Sequence, residues 1–238
     1  MSALKLLSLD TSSLAASTAL WEDDRLVGEF FINAKLTHSQ TAMPMVEDLL
    51  AATETPLAQV DLFAVSTGPG SFTGLRIGIA AVKGMAHALG KPCVPVSTLK
   101  GLAYNLLGFD GYVCPVMDAR CQQVYTALFQ LVDGRPVQVM DDCAIPLSQL
   151  KNQLSGLSKR VFLVGDGAKL CYNECIGSCP QITLAPPALL FQKASSVAQA
   201  ALEELALGHA LPAKDLAPSY LRLPQAEREL LRKQNQKG

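Results

Sequence analysis

Apolar and polar positions alternate early in the chain. The run KLLSLD near the start reads as a buried strand, DTSS as a turn, LAASTALW as a second strand, EDDR as a polar turn and LVGEFFI as a third strand. The period then changes. Over residues 39–53, Ala42, Val46 and Leu49 recur at helical spacing and Met45 widens their face, with Pro44 near the helix start, where proline is best tolerated. VDLFAV at 60–65 is a fourth strand. A second helix is predicted from about Thr73 to Leu89, stopped by Gly90 and Pro92, and CVPV is a fifth strand. The order βββαβαβ builds an α/β layer that opens with an antiparallel meander.

The pattern recurs. Residues 7–21 and 115–129 align without gaps, so that Asp10 meets Asp118 and Thr18-Ala19-Leu20 meets Thr126-Ala127-Leu128. Strand, acidic turn and strand follow in the same order both times. We therefore expect two related lobes, 1–100 and 101–238, the second ending in a loose basic tail from about residue 224. Two lobes that each open this way suggest the actin-like architecture of acetate kinase and hexokinase, whose paired hairpin turns grip nucleotide phosphates. Asp10, Thr11 and Ser12 are the candidate phosphate contacts on the first turn. A plain hairpin accounts for the same residues, because Asp, Ser and Thr favour turns through their own hydrogen bonds.

Between the fourth strand and the second helix lies STGPGSFTGLRIGIA, residues 66–80. Its glycines, Gly68, Gly70 and Gly74, are spaced too widely for a dinucleotide fingerprint, and no Gly-Lys-Ser/Thr of a P-loop is present. What remains is a tight strand-to-helix turn. Gly68 and Gly70 permit close backbone, Pro69 stiffens it, and Ser71 or Thr73 caps the helix. Small residues continue into the helix in two stripes, Gly74/Gly78 and Ala80/Gly84/Ala88. A helical glycine costs about 1 kcal/mol against alanine, so close backbone approach is the expected reason. One stripe can pack inside and the other meet a second helix; that both are internal stays open.

Composition adds limits. The 238 residues are 49% apolar and 17% charged, with net charge −1, which is not the basic body of a stand-alone nucleic-acid binder. No acid occurs from Leu62 to Phe109, whereas Arg76, Lys83, Lys91 and Lys100 do, a field that favours an anion or an acidic partner. No run reaches the length of a membrane span and the start lacks a signal peptide's apolar core, so a cytoplasmic protein is expected. Seven scattered cysteines read as reduced thiols. Cys171, Cys175 and Cys179, spaced by four, could share a helix face, but no C-x-x-C pair or fourth ligand marks a zinc site. Neither H-E-x-x-H nor G-x-S-x-G occurs, which speaks against a peptidase.

Several motifs in order, LDTSS…STAL, HSQTAMPMVEDLL, GPGSFTGLRIG and MDAR…VYTALF, resemble the bacterial TsaB (YeaZ) family of tRNA threonylcarbamoyladenosine biosynthesis, over nearly the whole chain. That family is paralogous to TsaD (YgjD), which transfers the threonylcarbamoyl group to an adenosine beside the anticodon. The resemblance implies a two-lobed actin-like, ribonuclease H-like fold. TsaD carries a metal-binding H-x-x-x-H after the strand equivalent to CVPV; here those positions fall on Thr98 and Leu102, and His38, His87 and His209 offer no such pair. No metal and no catalytic residue are therefore expected, and no cofactor that this chain itself requires. The resemblance further implies a scaffold that pairs with TsaD, joins TsaE in the assembly, forms a homodimer through the same surface, and meets tRNA only indirectly or weakly. The expected interface is Ala80, Gly84 and Ala88 with Met43, Val46 and Leu50 of the neighbouring helix, Met43 and Met85 supplying adaptable contacts. ATP or ADP would sit at the joint with TsaD, with Arg76 near it. An independent ATP-binding enzyme of actin-like fold is the alternative.

Overall fold

The structure is a computed structural model and describes residues 3–222. Two sheets carry it. In the first, β1 (Lys5–Asp10), β2 (Ala16–Glu22) and β3 (Arg25–Ile32) form the antiparallel meander, and β4 (Leu62–Gly68) and β5 (Pro92–Ser97) add parallel strands beyond β1. The order is β3-β2-β1-β4-β5. The second sheet repeats it with β6 (Gly111–Asp118), β7 (Gln123–Val132), β8 (Arg135–Pro146), β9 (Val161–Val164) and β10 (Ile182–Leu184), in the order β8-β7-β6-β9-β10. The duplicated order establishes the internal repeat that four identities only suggested.

The registers refine the alignment. Asp10 pairs with Ser17, but Asp118 pairs with Val124. The second hairpin connection is one residue shorter, so a gapless alignment cannot superpose both the aspartates and the threonines.

Both faces of the first sheet are covered, which explains why β1 and β4 are buried almost throughout. On one face lie α1 (His38–Ala52) and α2 (Phe72–Leu89), packing Val46, Leu49, Leu75, Ile79 and Val82 against Leu7, Leu9, Phe63 and Val65. On the other lies α6 (Ala194–Ala206), whose Val197, Ala198 and Ala201 meet Leu6, Trp21, Leu62 and Val96. The helix start is fastened by hydrogen bonds. Ser8 Oγ donates to the Ala194 carbonyl at 2.7 Å, the Ala194 amide donates to Ser17 Oγ at 3.0 Å, and the Ser195 amide donates to Glu29 at 2.9 Å. Beyond α6, β11 (Leu211–Pro212) joins the first sheet beside β5. A division at residue 100 thus assigns residues 194–216 to the second lobe, whereas they pack on the first sheet.

The second sheet holds one core around Val113, Val116, Phe129, Val161 and Leu163. It is closed by α3 (Thr98–Tyr104), α4 (Leu147–Ser155) and α5 (Ala168–Cys175). No helix among the described residues is long and apolar enough to cross a membrane. The expected basic tail lies outside the described residues.

Candidate partner-docking site

The loop after β4 begins at Gly68, whose φ of +135° is a glycine conformation and whose missing side chain leaves room for the Ser219 carbonyl. Ser71 caps α2, its hydroxyl accepting the Gly74 amide at 3.2 Å, and Gly90 closes the helix in the left-handed conformation. Pro69 sits between, joined to Gly68 by a cis peptide bond.

The inner small-residue stripe meets the first hairpin turn rather than the sheet. A Cβ at Gly70 would stand 2.4 Å from the Ser12 carbonyl, one at Gly74 2.1 Å from the Thr11 carbonyl, and one at Gly78 2.4 Å from Thr11 Oγ1. Polar bonds lock the contact. The Ser71 amide donates to the Ser12 carbonyl at 2.7 Å, and Thr11 Oγ1 donates to the Gly74 carbonyl at 2.8 Å.

Asp10, Thr11 and Ser12, expected to face a phosphate, are all buried. Asp10 Oδ1 accepts the Ser12 amide and hydroxyl at 2.9 and 2.7 Å, and Oδ2 accepts the Ser66 hydroxyl. Burial pushes the Asp10 carboxyl above its usual range, against the lowering by these bonds. The turn's side-chain groups are therefore engaged by the chain itself. Asp118 makes the same local turn, Oδ1 accepting the Arg120 amide at 2.7 Å, but it is exposed and stands beside Asp166, which accepts the Asp118 amide. His38 Nε2 bonds the Ser13 carbonyl at 2.6 Å, so it ties α1 to the hairpin as a polar neighbour.

Arg76 is exposed, but it too has protein partners. Its guanidinium lies 3.9 Å from the Phe72 ring centre and its Nε donates to the Tyr220 hydroxyl at 3.0 Å, while Phe72 and Tyr220 stack. Lys83 donates to the carbonyls of Lys214 and Leu216. The segment 213–222 thereby covers one flank of α2, and its Arg222 donates to the Ala119 carbonyl of the second lobe. No sequence signal pairs Tyr220 with Arg76.

The outer stripe is different. Ala80, Gly84 and Ala88 are exposed, and a Cβ at Gly84 would meet nothing within 4 Å. Helical steps extend this face to Thr73 and half-buried Ile77, which the sequence reading left out although the spacing reaches them. On α1, Met43 is exposed and Leu50 half-buried. Two residues need correction. Val46 and Met85 are 2% and 6% exposed and belong to the core, because each points at the sheet along with Leu49 and Val82.

Thr98 and Leu102, at the positions of the paralogue's histidines, are buried on α3, and no cluster of three or more metal-ligating side chains occurs among the described residues. Cys171, Cys175 and Cys179 are buried free thiols.

Doubled sheets of the same 3-2-1-4-5 order, each opening with a hairpin that carries an aspartate, define a two-lobed actin-like α/β protein, here with its first hairpin sealed by its own glycine helix. The chain belongs to the TsaB family. It is 32% identical to the tRNA threonylcarbamoyladenosine biosynthesis protein TsaB of Bacillus subtilis, over 97% of this chain and all of that one. It is 37% identical to the Escherichia coli TsaB over 129 residues, 53% of this chain and 55% of that one. The tRNA N6-adenosine threonylcarbamoyltransferase family (TsaD) matches residues 32–230. YeaZ from Pseudomonas aeruginosa superposes with a TM-score of 0.77 at 31% identity, covering 93% of this chain and all of that one.

Proposed function

We propose that this chain is a non-catalytic subunit for threonylcarbamoyl transfer to tRNA, which docks its TsaD-type transferase partner on the outer face of α2. Family membership supports the coarser half, a role in tRNA threonylcarbamoyladenosine biosynthesis. The observation that carries the finer half is the bare stripe Ala80/Gly84/Ala88, with open space at Gly84 on a helix whose other sides are filled. Met43 and half-buried Leu50 extend it from α1. A second copy of this chain uses the same face when the transferase is absent, and TsaE joins the pair. The chain itself requires no cofactor. Adenine nucleotide, where the assembly holds one, lies at the joint, since the side chains of the Asp10–Ser12 turn are already bonded internally. The independent ATP-binding reading gains nothing from that turn.

The test is Gly84→Arg. A long charged side chain cannot fit between closely packed helices, so the variant should fold, elute as a monomer, and fail to support threonylcarbamoyladenosine formation when mixed with the transferase. Wild-type elution and full activity would remove α2 from the interface. Modification by the isolated chain at a comparable rate would end the non-catalytic reading.

A further inference from the structure

The second lobe holds a group that partner docking does not use. Cys171 and Cys175 lie one turn apart on α5, and Cys179 follows the helix end. All three are buried free thiols, and Cys175 and Cys179 line one cavity. The Cys179 amide donates to the Cys175 carbonyl at 3.1 Å, which folds the chain back and fixes the two cysteines side by side. Between them run Ile176, Gly177 and Ser178, all exposed, with Gly177 at a positive φ. A cavity of about 120 Å³ opens at this bend, lined by Cys175, Cys179, Tyr172, Ile176, Pro180 and Ile182.

We propose that Cys175 and Cys179 are a dithiol that hydrogen peroxide entering this cavity oxidises to an intramolecular disulfide. Cys171 is excluded by position. It is wholly buried and does not line the cavity, so a peroxide held there does not reach it. Cys179 lies outside the helix, on a short bend whose residues can adjust. It is also the more exposed of the pair, 5% against 1%, so it meets the peroxide first. Its sulfur attacks one peroxide oxygen, the O–O bond breaks, and a sulfenic acid and water form. The Cys175 sulfur then attacks the sulfenic sulfur and expels the hydroxyl as a second water. Two thiols are oxidised by two electrons and one peroxide is reduced. Burial raises the Cys175 thiol above its ordinary range, which lowers its thiolate fraction and makes the resolving step slow.

The test uses the full chain with exposed Cys121 changed to serine, which removes the competing intermolecular disulfide. After hydrogen peroxide and alkylation, tryptic digestion releases residues 170–193 with all three cysteines. We expect this peptide to be two hydrogens lighter, with Cys171 alone open to alkylation after denaturation, and full alkylation restored by dithiothreitol. Cys179→Ser should abolish the mass loss, while Cys171→Ser should keep it. An unchanged peptide, or a bridge that includes Cys171, would overturn the assignment. Because the first measurement needs no change at the cluster, misfolding of a variant cannot obscure it.

Discussion

Asp166 follows β9 beside Asp118, and burial, with the Asp118 charge adding to it, pushes its carboxyl up to about 6. The native state therefore keeps this proton after the unfolded chain has lost it near the ordinary 3.8. Stability should fall as the pH rises from about 4 to about 6 and stay lowered above that, because the native state binds more protons across this window. Asp166→Asn should flatten the fall and stabilise the protein at pH 7 by at most about 3 kcal/mol, at about 1.4 kcal/mol per pH unit, measured by denaturant unfolding at both ends of the window. The aspartates of both turns were legible in the sequence as turn residues. Their environments were not. Asp10 is sealed by Ser66 and by a helix that begins sixty residues later, whereas Asp118 stays open, and neither fact is local to DTSS or DARC.

At the scale of one element, α2 holds glycines with opposite purposes. Gly74 is a site of contact, since a Cβ there would stand 2.1 Å from the Thr11 carbonyl. Gly74→Ala should force the hairpin and helix apart and cost about 1–3 kcal/mol, as overpacking does. Gly84 is free, so Gly84→Ala should raise stability by about 1 kcal/mol through helix propensity alone. Thermal unfolding of the two variants, compared with wild type, measures both. Spacing revealed the two stripes, because helical periodicity is written in the sequence. It could not say that the inner one receives a turn rather than a sheet, since that depends on where Thr11 comes to lie. Nor could it separate Val46 from Leu50 on α1, where both lie within a wide apolar stripe and only the buried side of the helix decides.

At the scale of the molecule, the meander and its repeat were readable from alternation and from the paired aspartates. The return of the C-terminal segment to the first lobe was not. KASSVAQAALEELAL reads as a helix, but small alanine-rich surfaces fit many sheets, and its ties to Ser8, Ser17 and Glu29 span more than 160 residues. A fragment ending at residue 107 should therefore fail to fold, because it leaves Leu6, Leu62, Val94 and Val96 without α6. Circular dichroism and solubility of that fragment would show it. A native-like melting transition would mean that α6 only decorates a lobe already complete.

The placement of α6 also sets an order of events during synthesis. Domains usually close as they leave the ribosome, the earliest first. Here the strands made first wait for their second cover until Ala206 has been added, while the intervening residues already hold every helix the second sheet needs. At ribosomal speeds of about 5–20 residues per second, the delay from Ser97 to Ala206 is roughly 5–20 s. The lobe begun first is the lobe finished last, and during that interval the bare face of its sheet is exposed to whatever chaperone or nascent neighbour is at hand.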